Sequence, residues 1–260
     1  MSERQTSSVE LGLFASRISA ICEEMGALLG RVAFSPNIRD RNDYSCALFS
    51  RRGQLLGQAT HIPVHLGSMA YAMADLVEAR QWREGDMLIL NDPYKGGTHL
   101  PDLTLVAPVF TGGKLVGFAA NRAHHADIGS DAPGSMPVSQ SLGEEGILIS
   151  PTLLMKDGEV DTQFMQALLD GLNSPDTSRG DYNAQIAANL LGAGRLAELV
   201  EAMGPEVFEK LEASLQSWAR SLVMQSLAAI PNGKYEFEDY LDDDGHGQTG
   251  IPIRVSITVA

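Results

Sequence analysis

Apolar residues recur at spacings of three and four at Leu11, Phe14, Ile18, Ile21, Met25, Leu28 and Val32, which predicts one long amphipathic helix ending near Ser35-Pro36. Its start is marked by Ser7 and Glu10, the spacing of a capping box in which each side chain bonds the other's backbone N–H. The period then changes. Residues 44–50 are rich in strand formers, and Arg51-Arg52-Gly53 reads as a turn into Gln54-Leu55-Leu56, giving a hairpin. Met69, Met73, Leu76 and Val77 return to helical spacing within 65–80, and a Gly85-Asp86 break precedes the short apolar run Met87-Leu88-Ile89-Leu90. Residues 94–102 hold too much Gly and Pro for regular structure, and strands at 103–110 and 114–122 flank Gly112-Gly113, a two-residue hairpin signal. After a Gly-, Pro- and Ser-rich stretch at 129–146 the pattern predicts helices near 161–172, 180–203 and 205–229, then a hairpin from Tyr235 to Val259. This mixed order of hairpins and long helices is α+β, with no internal repeat. The last strand runs to Ala260 with no turn or polar tail after it, which reads as a chain cut short within an element.

Charge narrows the partners. The 260 residues carry 33 acidic and 19 basic side chains, a formal net charge of -14. Nucleic-acid affinity rests on Lys and Arg neutralising phosphates, and an anionic membrane surface attracts basic segments, so neither partner is expected. The longest apolar run, Leu103 to Phe110, is interrupted by Thr104 and Pro108 and falls short of the ~18 residues of a membrane span. The N-terminus lacks the apolar core of a secretory signal, and Cys22 and Cys46 form no CxxC pair or disulfide framework. A cytoplasmic chain is expected, with both cysteines buried as small hydrophobes.

Two motifs are deceptive. Gly245-His246-Gly247-Gln248-Thr249-Gly250 has dinucleotide-site spacing, but that mechanism needs a helix N-terminus after the glycines, and Ile251-Pro252-Ile253 reads as strand; a hairpin turn is expected. Arg179-Gly180-Asp181 resembles an adhesion tripeptide but lies at a predicted helix start, where it reads as a packing element. Met69 and Met73 read as core filler. Neither a phosphate loop nor a GxSxG nucleophile elbow is present, so ATP chemistry would have to come from a partner.

The histidines carry the chemistry. His99 stands three residues before Asp102, and His124-His125 follow Asn121-Arg122-Ala123; His61 and His65 bracket Ile62-Pro63-Val64. If Gly112-Gly113 is the hairpin loop, paired positions sum to 225, so Asp102 lies level with Ala123, beside both histidines. Strict pleat alternation then puts His125 on the Asp102 face, and a one-residue bulge would put His124 there instead. Neutral imidazoles with carboxylates suit Zn, Mn, Fe or Ni; a hydrogen-bonded polar cluster that orders the loop is the alternative.

The chain resembles the hydantoinase B family, which includes the B-type half of ATP-dependent 5-oxoprolinase and the large subunits of acetone and acetophenone carboxylases. The likeness rests on Phe34 to Arg39, Asp43 to Ala47, His61 to Met69, Asn91 to Asp102, Asn121 to Gly129, Pro133-Gly134-Ser135 and Arg179 to Asn189. Family members are longer, and the chain resembles their N-terminal half.

The resemblance implies a divalent metal (Zn, Mn or Fe, not distinguished) held by Asp43, His99, Asp102 and His124, with Asp40 an alternative to Asp43, and His65 and His125 as supporting residues; His61 reads as a capped turn. It also implies a hetero-oligomer with a hydantoinase A-like, ATP-using subunit that activates a cyclic amide, this chain taking part in ring opening of a hydantoin, 5-oxoproline or similar lactam. An acetone- or acetophenone-type carboxylase subunit and a non-catalytic scaffold are the alternative functions.

Overall fold

The computed structural model describes residues 7–260 apart from 61, 63, 64, 66, 133 and 135. The expected reading of His61 and part of the Pro133-Gly134-Ser135 motif lie outside the described residues. Two compact units are present, one reaching Ala213 and one spanning Ser214–Ala260.

In the first unit, helix α1 (Ser8–Val32) begins as its capping box dictates: the Ser7 hydroxyl accepts from Glu10 N at 3.1 Å and the Glu10 carboxylate from Ser7 N at 2.9 Å. Its buried stripe is Phe14, Ile18, Ile21, Cys22, Met25 and Leu29. The stripe is rotated from the expected face, because Leu28 lies on its flank and Val32 is exposed, while Cys22 and Leu29 turn inward. Two glycines set how closely α1 approaches its neighbours. A Cβ at Gly57 would stand 2.6 Å from the Ile18 side chain, and one at Gly192 would stand 2.3 Å from Met25 Sδ.

After a short helix α2 (Pro36–Arg39), strands β1 (Tyr44–Ser50) and β2 (Leu55–Thr60) form the expected first hairpin, followed by α3 (Ser68–Glu78) and β3 (Met87–Leu90). β4 (Asp102–Thr111) and β5 (Lys114–His124) form the central hairpin, closed by Gly112 and Gly113 at φ 55° and 75°, the left-handed conformations such a turn needs. β6 (Thr152–Lys156) and β7 (Glu159–Val160) complete an antiparallel sheet of seven strands in the order β2-β1-β5-β4-β3-β6-β7. Helices α4 (Thr162–Asp170), α5 (Pro175–Met203) and α6 (Pro205–Ala228) follow. Among the described residues, six helices with this sheet make the α+β architecture that the pattern implied.

Both faces of the sheet are covered, so β1 and β3 are buried along their whole length, and β3 reads as a continuous apolar run. One face packs Ala47, Phe49, Val106, Phe118 and Ala120 against Met69, Ala72, Met73 and Leu76 of α3. Met69 and Met73 are therefore core residues. The opposite face packs Leu103, Leu105 and Ile89 against Met165 and Leu169 of α4 and Tyr182 and Ile186 of α5. Cys22 and Cys46 are free and fully buried, and burial pushes the Cys22 thiol up to about 12 and that of Cys46 well above its ordinary value.

The simple register of the β4–β5 hairpin needs correction. Thr111 pairs with Lys114 and Phe110 with Leu115, as expected, but Val109 pairs with Gly117, leaving Val116 as an extra residue. Beyond that bulge every pair is displaced by one, and Asp102 lies opposite His124 rather than Ala123. Gly117 fits the crowded backbone there, since a Cβ would stand 2.6 Å from the Phe49 carbonyl.

The second unit contains the C-terminal part of α6 and the ribbon of β8 (Gly233–Asp243) and β9 (Thr249–Val259). The dinucleotide-like glycines lie in and beside its turn, with Gly245, Gly247 and Gly250 at φ 74°, 102° and 64° and the Asp244 carboxylate accepting from His246 N and Gln248 N. Strand, not helix, follows them. No helix among the described residues is long and apolar enough to cross a membrane.

Candidate metal centre

Three stretches of chain meet at one end of the sheet, on the face that carries α3. β4 brings Asp102, β5 brings His124, the loop before β4 brings His99, and the residue before β1 brings Asp43. The bulge at Val116 puts His124 on the Asp102 face. The loop before β4 is held by its own chemistry. Asn91 donates through Nδ2 to the carbonyls of Leu100 and Ile147, both at 2.8 Å, and accepts from Ile149 N at 2.6 Å. Gly97 lies so close to Asn91 that a Cβ would stand 2.3 Å from its carbonyl, and Gly96 adopts φ 100° against Ala72. The glycines of the 94–102 segment are thus required by close packing.

Asp102 is the hub. His99 Nε2 stands 2.9 Å and His124 Nδ1 3.3 Å from its Oδ1, while Oδ2 accepts from the Thr98 hydroxyl at 2.5 Å. His65 Nε2 lies 3.4 Å from Oδ2 without forming an aligned hydrogen bond and has no other partner, although His65 is fully buried. Its Nδ1 faces the Ser45 hydroxyl at 3.0 Å. Asp43 Oδ2 lies 4.0 Å from His124 Nδ1, and the Asp43 carbonyl accepts from His124 N at 2.9 Å. Asp40, the alternative carboxylate, is turned to solvent and paired with Arg39 at 2.8 Å. Asp102 and His124 are buried, whereas the His99 side chain is 37% exposed and forms the solvent-accessible edge of the cluster.

Burial penalises the charge of Asp102, but His124, His65 and His99 outweigh it and hold the carboxyl far below the usual carboxylate range. For His124, burial opposes the charged form, and Asp102, with Asp43 farther off, overcomes it and raises the pKa.

His125 does not join this cluster. It points through the opposite face of the sheet, its ring centroid 4.9 Å from that of Tyr182, with Nε2 2.8 Å from Gln185 Oε1. An amide oxygen only accepts, so Nε2 carries the proton and Nδ1 is left bare and unpartnered. Gln185 also donates through Nε2 to the Leu103 carbonyl and to Asn121 Oδ1, at 2.9 and 2.8 Å, while Asn121 donates to the Gln185 carbonyl and to Asn189 Oδ1, both at 2.8 Å. α5 thereby clamps the ends of β4 and β5 from behind the candidate centre. Asp181, within the adhesion-like tripeptide, is buried and accepts from Phe34 N and Ser35 N at 2.7 and 3.0 Å. The tripeptide lies inside α5, which begins at Pro175, and not at the expected helix start; its packing role is to cap the backbone between α1 and α2.

His99, Asp102 and His124 can each offer a ligand atom within 4.8 Å of the others, so this triad could bind a metal ion. The donor set fits a divalent cation: two imidazoles and a carboxylate suit Zn, Mn or Fe, and three protein ligands leave a position for a reactant. The unpartnered, buried Nε2 of His65 beside Asp102 marks the same spot as polar and unsatisfied. The hydrogen bond available between His124 Nε2 and the Gly134 carbonyl, at 3.4 Å, is the kind of outer contact that orients a ligating imidazole. Thr98, Ser45 and Gly134 lie within the stretches that carry the family likeness, but no local pattern places them here, because their proximity depends on strand pairing and on the path of the 129–146 loop.

The antiparallel α+β scaffold thus carries a His-Asp-His cluster at the end of its central hairpin. The Hydantoinase B/oxoprolinase family model matches residues 7–260, and the chain belongs to that family. It is similar to 5-oxoprolinase of Dictyostelium discoideum, 37% identical over 261 residues that cover 96% of this chain and 20% of that protein. A relative from Pseudomonas sp. (strain NS671), named as the B-type subunit of a D-/L-hydantoinase, is 30% identical over 92% of this chain and 42% of its own length. The crystal structure of the ATP-dependent caprolactamase of Pseudomonas jessenii superposes with a TM-score of 0.91 at 28% identity, over 99% of this chain and 45% of that chain. Nucleotide-free acetone carboxylase shares the fold, with a TM-score of 0.81 at 21% identity over 90% of this chain and 32% of that one. The chain thus spans less than half the length of each of these proteins.

Proposed function

We propose that this chain is the metal-binding B-type part of an ATP-dependent cyclic amide hydrolase, opening a hydantoin, 5-oxoproline or similar lactam together with an A-type, ATP-using subunit. The convergence of His99, Asp102 and His124, with Asp43 beside them, carries the reading. Family membership and the likeness to an ATP-dependent caprolactamase support its reaction class, and a relative named as a B-type hydantoinase subunit supports a partnered assembly.

A divalent cation at this place supplies positive charge that polarises a carbonyl and acidifies a water toward pKa ~7. The chain's own residues do the rest. His99, Asp102 and His124 would hold the cation, with Asp43 completing the set. Thr98 fixes one Asp102 oxygen by hydrogen bonding, so the other faces the two imidazoles. Asp102 keeps its charge at any physiological pH, since its carboxyl lies far below the ordinary range under the influence of the three histidines. His65, anchored to Ser45, stands 3.4 Å from Asp102 Oδ2 and lines the inner side of the pocket.

The deciding experiment is metal content by mass spectrometry on the purified chain and on His99→Ala and Asp102→Ala, each checked for folding by circular dichroism. Near-stoichiometric Zn, Mn or Fe in the parent, lost in both folded variants, supports the centre. Absence of metal in the parent after incubation with each salt sinks it and favours a scaffold role. ATP turnover with an A-type partner then tests the reaction: stimulation by a lactam or hydantoin is expected, and a strict need for bicarbonate would instead indicate carboxylation.

A further inference from the structure

Arg122 is among the largest fully buried side chains, on β5 two residues before His124. Its guanidinium makes three hydrogen bonds of 2.7 Å, and all go to neutral oxygens: Nε to the Thr104 hydroxyl, Nη1 to the Ser68 hydroxyl and Nη2 to the Gly96 carbonyl. A buried charge without a carboxylate in contact is costly, and a neutral amide could satisfy such oxygens more cheaply. A planar fork that reaches three chain segments at once is what arginine alone supplies.

The three oxygens share one property. Thr104 lies on β4 two residues after Asp102. Gly96 lies in the loop that carries Thr98 and His99. Ser68 begins α3, and its hydroxyl passes the connection on by donating to the His65 carbonyl at 3.2 Å. In the sheet, Arg122 itself pairs with Ser45, the partner of His65. Every segment from which the candidate centre draws a side chain is therefore tied to this guanidinium or adjoins it. His99 needs such a tether most, because it stands at the exposed edge on a segment without regular structure.

We infer that Arg122 is a positioning residue of the metal centre, its fork holding the Gly96 carbonyl so that Thr98 and His99 meet Asp102. This rests on the metal reading for its consequence, whereas the tether itself can be measured without metal.

The test uses the full chain as parent, Arg122→Lys and Thr104→Val. Hydrogen exchange by mass spectrometry is first measured on the metal-free proteins. In Arg122→Lys, amides of 96–100 are expected to exchange at least tenfold faster, since a point ammonium cannot span all three oxygens, while Leu154–Lys156 at the far side of the sheet is unchanged. Thr104→Val, which removes one tether, should give a smaller rise in the same segment. Affinity for Co(II) or Mn(II) is then expected to fall roughly 10–100-fold in Arg122→Lys, the range typical of lost outer-shell support, with an altered visible spectrum of the Co(II) form. Exchange that is unchanged, or that rises equally across the sheet, overturns the inference. Should Arg122→Lys fail to fold, Thr104→Val and Ser68→Ala decide, and absence of a loop-confined rise in both overturns it. If the parent binds no metal although the loop-confined rise is present, the metal reading fails while the tether stands.

Discussion

Asp102 and His124 face each other across β4 and β5 because Val116 occupies a bulge that displaces the register by one residue. Without it Ala123 would stand opposite Asp102, and the two adjacent histidines would exchange faces. Adjacent residues of a strand point to opposite sides, so this single offset decides which imidazole joins the carboxylate. His124→Ala should therefore abolish metal binding. His125→Ala should leave the metal in place but destabilise the fold by about 1–3 kcal/mol, the cost of leaving buried Gln185 Oε1 without a donor. Metal analysis and urea unfolding on the two variants separate these outcomes.

Asp43 and Asp40 make a second contrasting pair. Asp43 lies 4.0 Å from His124 Nδ1, whereas Asp40 is turned outward and paired with Arg39. Asp43→Ala is expected to weaken metal binding by at least tenfold, and Asp40→Ala to leave it within error, both by competition with a fluorescent chelator. An effect confined to Asp40→Ala would reverse the assignment.

The two neighbouring histidines should titrate with opposite signs in the metal-free protein. Burial against Tyr182 and Gln185 favours the neutral ring of His125 and lowers its pKa, while Asp102 raises that of His124 against the penalty of burial. The lowered group contributes stability that is present above its unfolded value of about 6.5 and is lost as pH falls through the folded value. The raised group contributes stability that is fully present below about 6.5 and is lost as pH rises through its folded value. Each proton contributes a slope of at most about 1.4 kcal/mol per pH unit. Urea unfolding from pH 5 to 8 should show His125→Gln losing the acid-side decline and His124→Gln losing the alkaline-side one.

Asp181→Ala removes the carboxylate oxygen that accepts from Phe34 N and Ser35 N. A cost of about 1–3 kcal/mol is expected, which corresponds to a fall in Tm of roughly 2–4 °C per kcal/mol for a chain of this size. Asp181→Asn retains an acceptor and should recover part of the loss. Equal melting of all three proteins would remove Asp181 from the set of stabilising contacts.

Much of this architecture is legible in the sequence because it is local. The Ser7–Glu10 box, the Gly112-Gly113 turn and the helical periods of α1, α3, α4 and α6 each report short-range physics, and each is present. Part of the signal for β6 and β7 is there as well: Asp157-Gly158, at φ of 51° and 84°, follows the apolar run Leu153-Leu154-Met155, but the strands span only five and two residues and lack a periodic pattern. At the candidate centre, the residue types and the HxxD spacing were visible. The face was not, because a bulge at Val116 leaves no compositional mark. The contributions of Asp43, Ser45 and His65 depend on β1 pairing with β5 across more than seventy residues, which no local pattern encodes.

That last pairing governs the order in which the chain can be built. The β4–β5 hairpin closes through a two-residue turn, but β1 reaches β5 only after a long loop is closed, an entropically late event. Asp43 can join His99, Asp102 and His124 only once β1, which lies between β2 and β5, has docked. A bound cation should consequently leave the refolding rate nearly unchanged and act almost wholly by slowing unfolding, so that the protein's lifetime, rather than its speed of assembly, would follow the supply of metal.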